Sequence, residues 1–222
     1  MANQLASYRT CMISNEMTVR NETTVQRLAA KKHGVTGASL LPAIANRRSP
    51  RAFHPGRPIT EAELLPLLEA ARWAASSNNL QPWRLAWALK GEPAFDRLLR
   101  SLNPGNGAWA HRASALLLGC AVLRRPDGTS NRHAVHDLGQ ALAQLAIQAT
   151  SQGLVVHQMG GFNLDKARDA LAVPDGIEPY TAVAIGWPGD PALLGEEHRA
   201  MERAPRIRLP LVEVAPRGGW NR

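Results

Sequence analysis

The 222-residue sequence predicts an α+β fold in which helices flank a mixed β-sheet. Three observations predict it. The runs ASALLLGCAV (113–122) and YTAVAIGW (180–187) are predominantly apolar and of strand length, as in strands covered on both faces. Amphipathic helical patterns separate the strand-like runs. One long pattern, HAVHDLGQALAQLAIQATSQGL, repeats apolar residues with helical period over several turns.

Residues 1–36 read as a polar extension with little promise of order, its one helical hint lying between Thr23 and Lys32. The folded domain is expected over 37–222 and opens with a short helix from Leu40 to Asn46. In PITEAELLPLLEAARWAAS, Thr60 and Glu63 have capping-box spacing, and Leu64, Leu67, Leu68, Ala71 and Ala75 mark an apolar face. RLAWALK (84–90) reads as a strand and PAFDRLLRSL (93–102) as an amphipathic helix. The Gly, Asn and Pro residues of 103–107 predict a turn. After the buried strand 113–122, Leu138, Ala141, Leu142, Leu145, Ala146 and Ala149 define the long helix, and Gly153 stops it. A central core helix and a dimer interface would give that helix the same pattern. LVVHQM is a short strand, NLDKARDALAV a helix that Asn163 caps, and YTAVAIGW the last strand. The tail APRIRLPLVEVAPRGGW is too rich in proline for a helix and carries strand-like pieces.

A hydrophobic content of 45% with 20% charged residues is that of a globular chain. No run approaches the roughly 18 apolar residues of a membrane span, and the first residues lack the apolar region of a secretory signal. The cytoplasm is the expected compartment, with no membrane as partner. Cys11 and Cys120 are too few for a disulfide framework. His133 and His136 lie three apart at a helix start, and the better reading of them is as surface histidines, not as a metal site. The net charge of +8 is dispersed in short arginine clusters, not in a helical stripe interleaved with aromatics, which disfavours nucleic acid as a partner.

The sequence contains no dinucleotide-binding glycine turn, phosphate loop, nucleophile elbow or HExxH motif. It does contain devices for anions and amides. NRRSPR (46–51) sets Arg47, Arg48, Ser49 and Arg51 close together, and guanidinium forks match phosphate oxygens. Arg206 and Arg208, two apart in an extended segment, face one way and can reach one anion. Gly160 and Gly161 follow a strand and permit a flat ligand to approach backbone N–H groups. The stretch ASSNNLQPW gathers neutral hydrogen-bonding side chains without a charge.

In this order the motifs resemble the nitroreductase family. Arg47-Arg48-Ser49-Pro50-Arg51 with Phe53 matches its opening motif, and Ala74–Trp83 its Ala-Pro-Ser-Ser-x-Asn-x-Gln-Pro-Trp motif. Gly160-Gly161-Phe162, Gly186-Trp187-Pro188 and Arg206-Ile207-Arg208-Leu209-Pro210 follow in sequence. The match spans about 43–220; Ala75 replaces the family's proline, and the first 36 residues are not covered.

The resemblance implies a three-layer sandwich with a mixed sheet, and a homodimer with a swapped C-terminal tail. It implies bound FMN at the subunit interface and NADH or NADPH as reductant. A hydride would pass to the flavin N5, and a second substrate, such as a nitroaromatic or quinone, would then enter the same pocket in ping-pong order. By the same resemblance Arg47, Ser49, Arg206 and Arg208 hold the phosphate, and Arg48 lies near the ribityl chain or phosphate. Arg51 reaches the pyrimidine edge, as does Asn106 in some members. Gly160 and Gly161 present N–H groups to N5 and O4. Ser76, Ser77 and Asn79 reach the partner's flavin, and Gln81 belongs to the same loop. Neutral amides suit a flat, mostly neutral ring without biasing its potential. No catalytic side chain is implied. Flavin-destroying, dehalogenating or heterocycle-oxidising relatives and a non-catalytic flavin-binding protein are the rival readings; the lid or dedicated base of the former has no signature here.

Overall fold

The computed structural model describes residues 38–220. The described residues fall into two compact units, Pro42–Glu202 and a smaller one made of 38–41 with 203–220. The polar extension 1–36 lies outside the described residues.

The larger unit begins with α1 (Pro42–Asn46) and α2 (Glu61–Arg72). The start of α2 is set locally: the Thr60 side chain accepts from Glu63 N, and the Glu63 side chain accepts from Thr60 N at 2.7 Å. Its buried face is Leu64, Leu67 and Ala71, whereas Ala75 lies beyond the helix and is exposed. Strand β1 (Trp83–Leu89) and helix α3 (Pro93–Ser101) follow.

The turn expected over 103–107 is instead the first part of a helix, α4 (Pro104–Ala110). Pro104 stands in the first helical turn, where a missing N–H costs nothing. Gly105 and Gly107 lower helix propensity, but burial of Trp109 and Ala110 at the other end overrides it.

Strand β2 (Ala115–Val122), helix α5 (Ala134–Ser151), strand β3 (Val155–Met159), helix α6 (Leu164–Ala170) and strand β4 (Ile177–Gly186) complete the sandwich. Asn163 caps α6 by accepting from Lys166 N at 2.9 Å.

The sheet order is β1-β2-β4-β3, and all three pairings among the described strands are antiparallel, where a mixed sheet was expected. Continuous apolar runs report burial on both faces, and helices supply that cover here without any parallel pair. Alternate residues of β2 enter different cores. Leu117 packs with Leu138, Leu142 and Leu145 of α5 and Leu64 and Leu67 of α2. Leu116 and Leu118 pack with Phe95 and Leu98 of α3 and with Trp109. The result is three layers, with α2 and α5 on one side and α3, α4 and α6 on the other. Cys120 is buried in the second core, which pushes its thiol up to about 11 and leaves it unreactive.

Two short helices were not foreseen: α7 (Glu196–Arg203) and α8 (Leu211–Val214). The expected strand-like pieces of the tail are absent from the described residues. Residues 204–210 are irregular, and Pro210, with no N–H to satisfy, leads directly into α8.

Candidate functional site

The basic segment 47–51 leaves α1 and runs into a tight pairing with the chain after β4. His54 N donates to Trp187 O (2.9 Å) and Gly189 N to Ala52 O (2.9 Å), with Phe53 bridged to Pro188. A Cβ at Gly189 would run into the Phe53 backbone, so this contact requires glycine. Phe53, fully buried, stacks on Trp109 at 6.1 Å, and Trp109 tilts against His157 of β3 at 4.5 Å.

Within the segment the arginines have different partners. Arg47 Nη1 donates to Ser49 Oγ at 3.3 Å. Arg48 Nη2 meets Glu202 Oε1 at 3.4 Å and Glu202 O at 3.3 Å, and Arg51 N donates to Glu202 Oε2 at 3.0 Å. The part-buried Arg51 guanidinium makes no hydrogen bond or ion pair among the described residues. His157 Nδ1 lies 3.1 Å from Pro50 O, and with a carbonyl as partner the ring nitrogen is the donor. Burial lowers the His157 pKa to about 4, the Pro50 carbonyl partly opposing this and the Arg51 guanidinium adding to it. The ring is therefore neutral near pH 7. Glu202 and His157 carried no signal in the sequence, because their partners lie 154 and 107 residues away.

Two residues beyond Met159, the glycine turn is locked to the N-terminus of α4. Gly161 O accepts from Asn103 N (3.0 Å) and from Asn106 Nδ2 (2.9 Å). Asn106 thus holds the turn through its Nδ2. A Cβ on Gly161 would lie 2.8 Å from Asn106 Nδ2, whereas one on Gly160 would meet nothing within 4 Å. The Gly160 face of the turn is open.

The neutral loop forms a 3-10 turn, Ser77–Asn79, in which Asn78, Asn79 and Gln81 take left-handed φ values of 52°, 55° and 47°. Among residues with a side chain, asparagine bears that conformation at little cost, which accounts for two of the amides. Ser76 Oγ accepts from Gln81 N (3.0 Å), and Gln81 Nε2 donates to Asn79 O (3.1 Å). Ser77 N donates to Oδ2 of Asp137 (3.1 Å), a buried carboxylate in the first turn of α5.

This loop enters β1, at one edge of the sheet, whereas the basic segment and glycine turn sit at β3, the other edge. Three strand spacings, roughly 14 Å, separate those edges. Among the described residues, the two halves therefore lie at opposite edges of the sheet. Arg206 and Arg208 belong to the smaller unit, where Arg208 Nη1 donates to Ile207 O at 2.8 Å.

An antiparallel sheet between helical layers, with an arginine-rich segment, a glycine turn and a neutral amide loop at its edges, is the architecture of a flavin-dependent oxidoreductase class. The Nitroreductase family profile matches residues 44–187, well over half of the sequence, and the chain belongs to that family. A crystal structure described as an oxidoreductase containing FMN has a TM-score of 0.79 and 34% identity, covering 84% of this chain and 96% of that one. The FMN reductase (NADPH) of Bacillus subtilis strain 168 is 26% identical over 179 residues, 72% of this chain and 70% of that protein. The NADH dehydrogenase of Thermus thermophilus is 27% identical over 206 residues, 78% of this chain and 92% of that protein.

Proposed function

We propose that the protein is an FMN-dependent oxidoreductase that draws on NADH or NADPH and reduces nitroaromatics, quinones or similar electrophiles in ping-pong order. The observation that carries this reading is the Arg51 guanidinium, part-buried and without a partner among the described residues, beside the Arg47–Ser49 pair. None of its nitrogens is buried, so the guanidinium is accessible to a ligand, and an anion would supply the counter-charge it lacks. The open face of Gly160 and the uncharged loop 76–81 fit a flat, neutral ring.

When bound, FMN supplies the two-electron chemistry, accepting a hydride from the nicotinamide and returning reducing equivalents to the second substrate. The chain's residues bind and orient. Arg47, Ser49, Arg206 and Arg208 hold the phosphate, and Arg51 compensates negative charge at the pyrimidine edge. Gly160 and Gly161 offer backbone N–H groups, with Asn106 fixing their turn. Ser76, Ser77 and Asn79 serve the flavin of a partner subunit, and Gln81 braces their loop.

The homodimer is part of the proposal. The separation of the two half-sites on opposite sheet edges favours it. So does the outer row of α5, Val135, Gly139 and Ala143, which is exposed and uncharged. Residues 37–222 form the FMN-binding domain, 1–36 an extension to it, and the cytoplasm is the working compartment. No described helix is long and apolar enough to cross a membrane.

Purified protein is expected to be yellow, to release FMN and not FAD on heating, and to bleach anaerobically with NADH or NADPH. Recovery of FAD, or of no flavin after reconstitution, would overturn the reading.

A further inference from the structure

We propose that Arg48 is a strut of the basic segment and not a phosphate ligand, and that Glu202 is the positioning residue that makes it one. The inference rests on the FMN reading above. In the sequence Arg47 and Arg48 are adjacent and equivalent; the fold separates them. Glu202 is only 6% exposed, and a carboxylate that far from water needs compensation. Among the described residues it obtains this from one segment. Arg48 Nη2 reaches both its carboxylate (3.4 Å) and its main-chain oxygen (3.3 Å), and Arg51 N donates to its second oxygen (3.0 Å).

Glu202 therefore engages Arg48 through its guanidinium but Arg51 only through its backbone. The Arg51 side chain is left for a ligand, while the Arg48 side chain is committed. On the other side His157 holds Pro50 O at 3.1 Å. Ser49, exposed, sits between these fixed points with Arg47 Nη1 3.3 Å away. One consequence is electrostatic. Neutralising Arg48 alone strands a buried carboxylate beside an anion site, whereas neutralising both partners does not.

The test compares full-length parent, Arg47→Gln, Arg48→Gln and the double variant Arg48→Gln/Glu202→Gln, each freed of flavin. Kd values for FMN and for riboflavin, which lacks the phosphate, are measured by fluorescence quenching, together with melting temperatures. Arg47→Gln should cut the preference for FMN over riboflavin about tenfold or more, as loss of one charge-assisted bond implies. The double variant should keep that preference within about threefold of the parent. Arg48→Gln should melt below the parent, and the double variant should recover at least half of the loss. A double variant that loses the preference as fully as Arg47→Gln overturns the proposal, as does an Arg48→Gln that melts with the parent. A parent that binds neither flavin overturns the FMN reading itself, and the melting temperatures then decide the strut alone.

Discussion

His157 is held neutral by its surroundings, and this makes the protein's stability depend on acid. An unfolded histidine titrates near 6.5, whereas burial beside Trp109 brings this one to about 4. At pH 7 neither state carries the proton. As the pH falls through 6.5 toward 4, the unfolded chain takes up a proton that the folded chain refuses. Stability is lost across that window, on the order of 3 kcal/mol in full. Urea denaturation near pH 7 and near pH 4.5 should show a larger loss for the parent than for His157→Gln, which can still donate to Pro50 O. Parallel losses would count against this account. Gly161→Ala should cost about 0.5–1.5 kcal/mol, because its Cβ would push the Asn106 amide, 2.8 Å away, off its bond to Gly161 O; Gly160→Ala, with open space, should leave the melting temperature near the parent's. Arg208→Ala should weaken FMN binding roughly ten- to a hundredfold, the effect of losing one charge-assisted bond to phosphate. Arg100→Ala, an exposed arginine at the end of α3, makes the same charge change and should not alter FMN affinity. Arg125 is a poorer control because its Nε is buried.

The elements differ in how far their ends are written locally. Thr60 and Glu63 are three residues apart, and their mutual bonds are those the spacing implies. Thr60→Ala should lower stability by about 1 kcal/mol. The loop 76–81 is held differently. Its anchor is Asp137, 60 residues away, whose charge is tolerated at 1% exposure by the Ser77 N–H, by His136 Nδ1 at 3.0 Å and by its place in the first turn of α5. Asp137→Ala should expose the loop to limited proteolysis and lower the melting temperature. Asp137→Asn, which keeps an acceptor for Ser77, should do so less. Equal cleavage of both variants and parent would show that Asp137 does not hold the loop.

At the scale of the whole molecule, the outer face of α5 and, separately, the tail carry exposed apolar side chains among the described residues. Ile207 is 80% exposed, Leu211 75% and Trp220 80%, and Leu209, Val212 and Val214 of the same segment are exposed too. Isolated exposed apolar residues are ordinary, but a cluster of this kind marks an interaction surface. Sedimentation should give a species of about twice the 24.1 kDa chain mass. Ala143→Arg, on the outer face of α5, should yield a folded monomer that retains little flavin. A flavin-loaded monomer from the parent would refute the dimer.

Local spacing was enough to read most of the helices and all four strands. Period, caps and stop signals act within a few residues, so Thr60, Asn163 and Gly153 are intelligible without tertiary context. The continuous apolar runs of β2 and β4 correctly implied cover on two faces, but burial does not encode strand direction, and the antiparallel order came only with the fold. At 103–107 local propensity gave a turn, and packing of Trp109 made a helix. The candidate site divides in the same way. The residue types at 47–51, 76–81 and 160–161 stand in the sequence as motifs. Which arginine is tied to Glu202, which asparagine holds a glycine turn, and which carboxylate anchors the amide loop depend on partners 55 to 154 residues apart. Hydrogen bonds and ion pairs act over a few ångströms of space, whatever the distance along the chain, so only the tertiary structure could assign them.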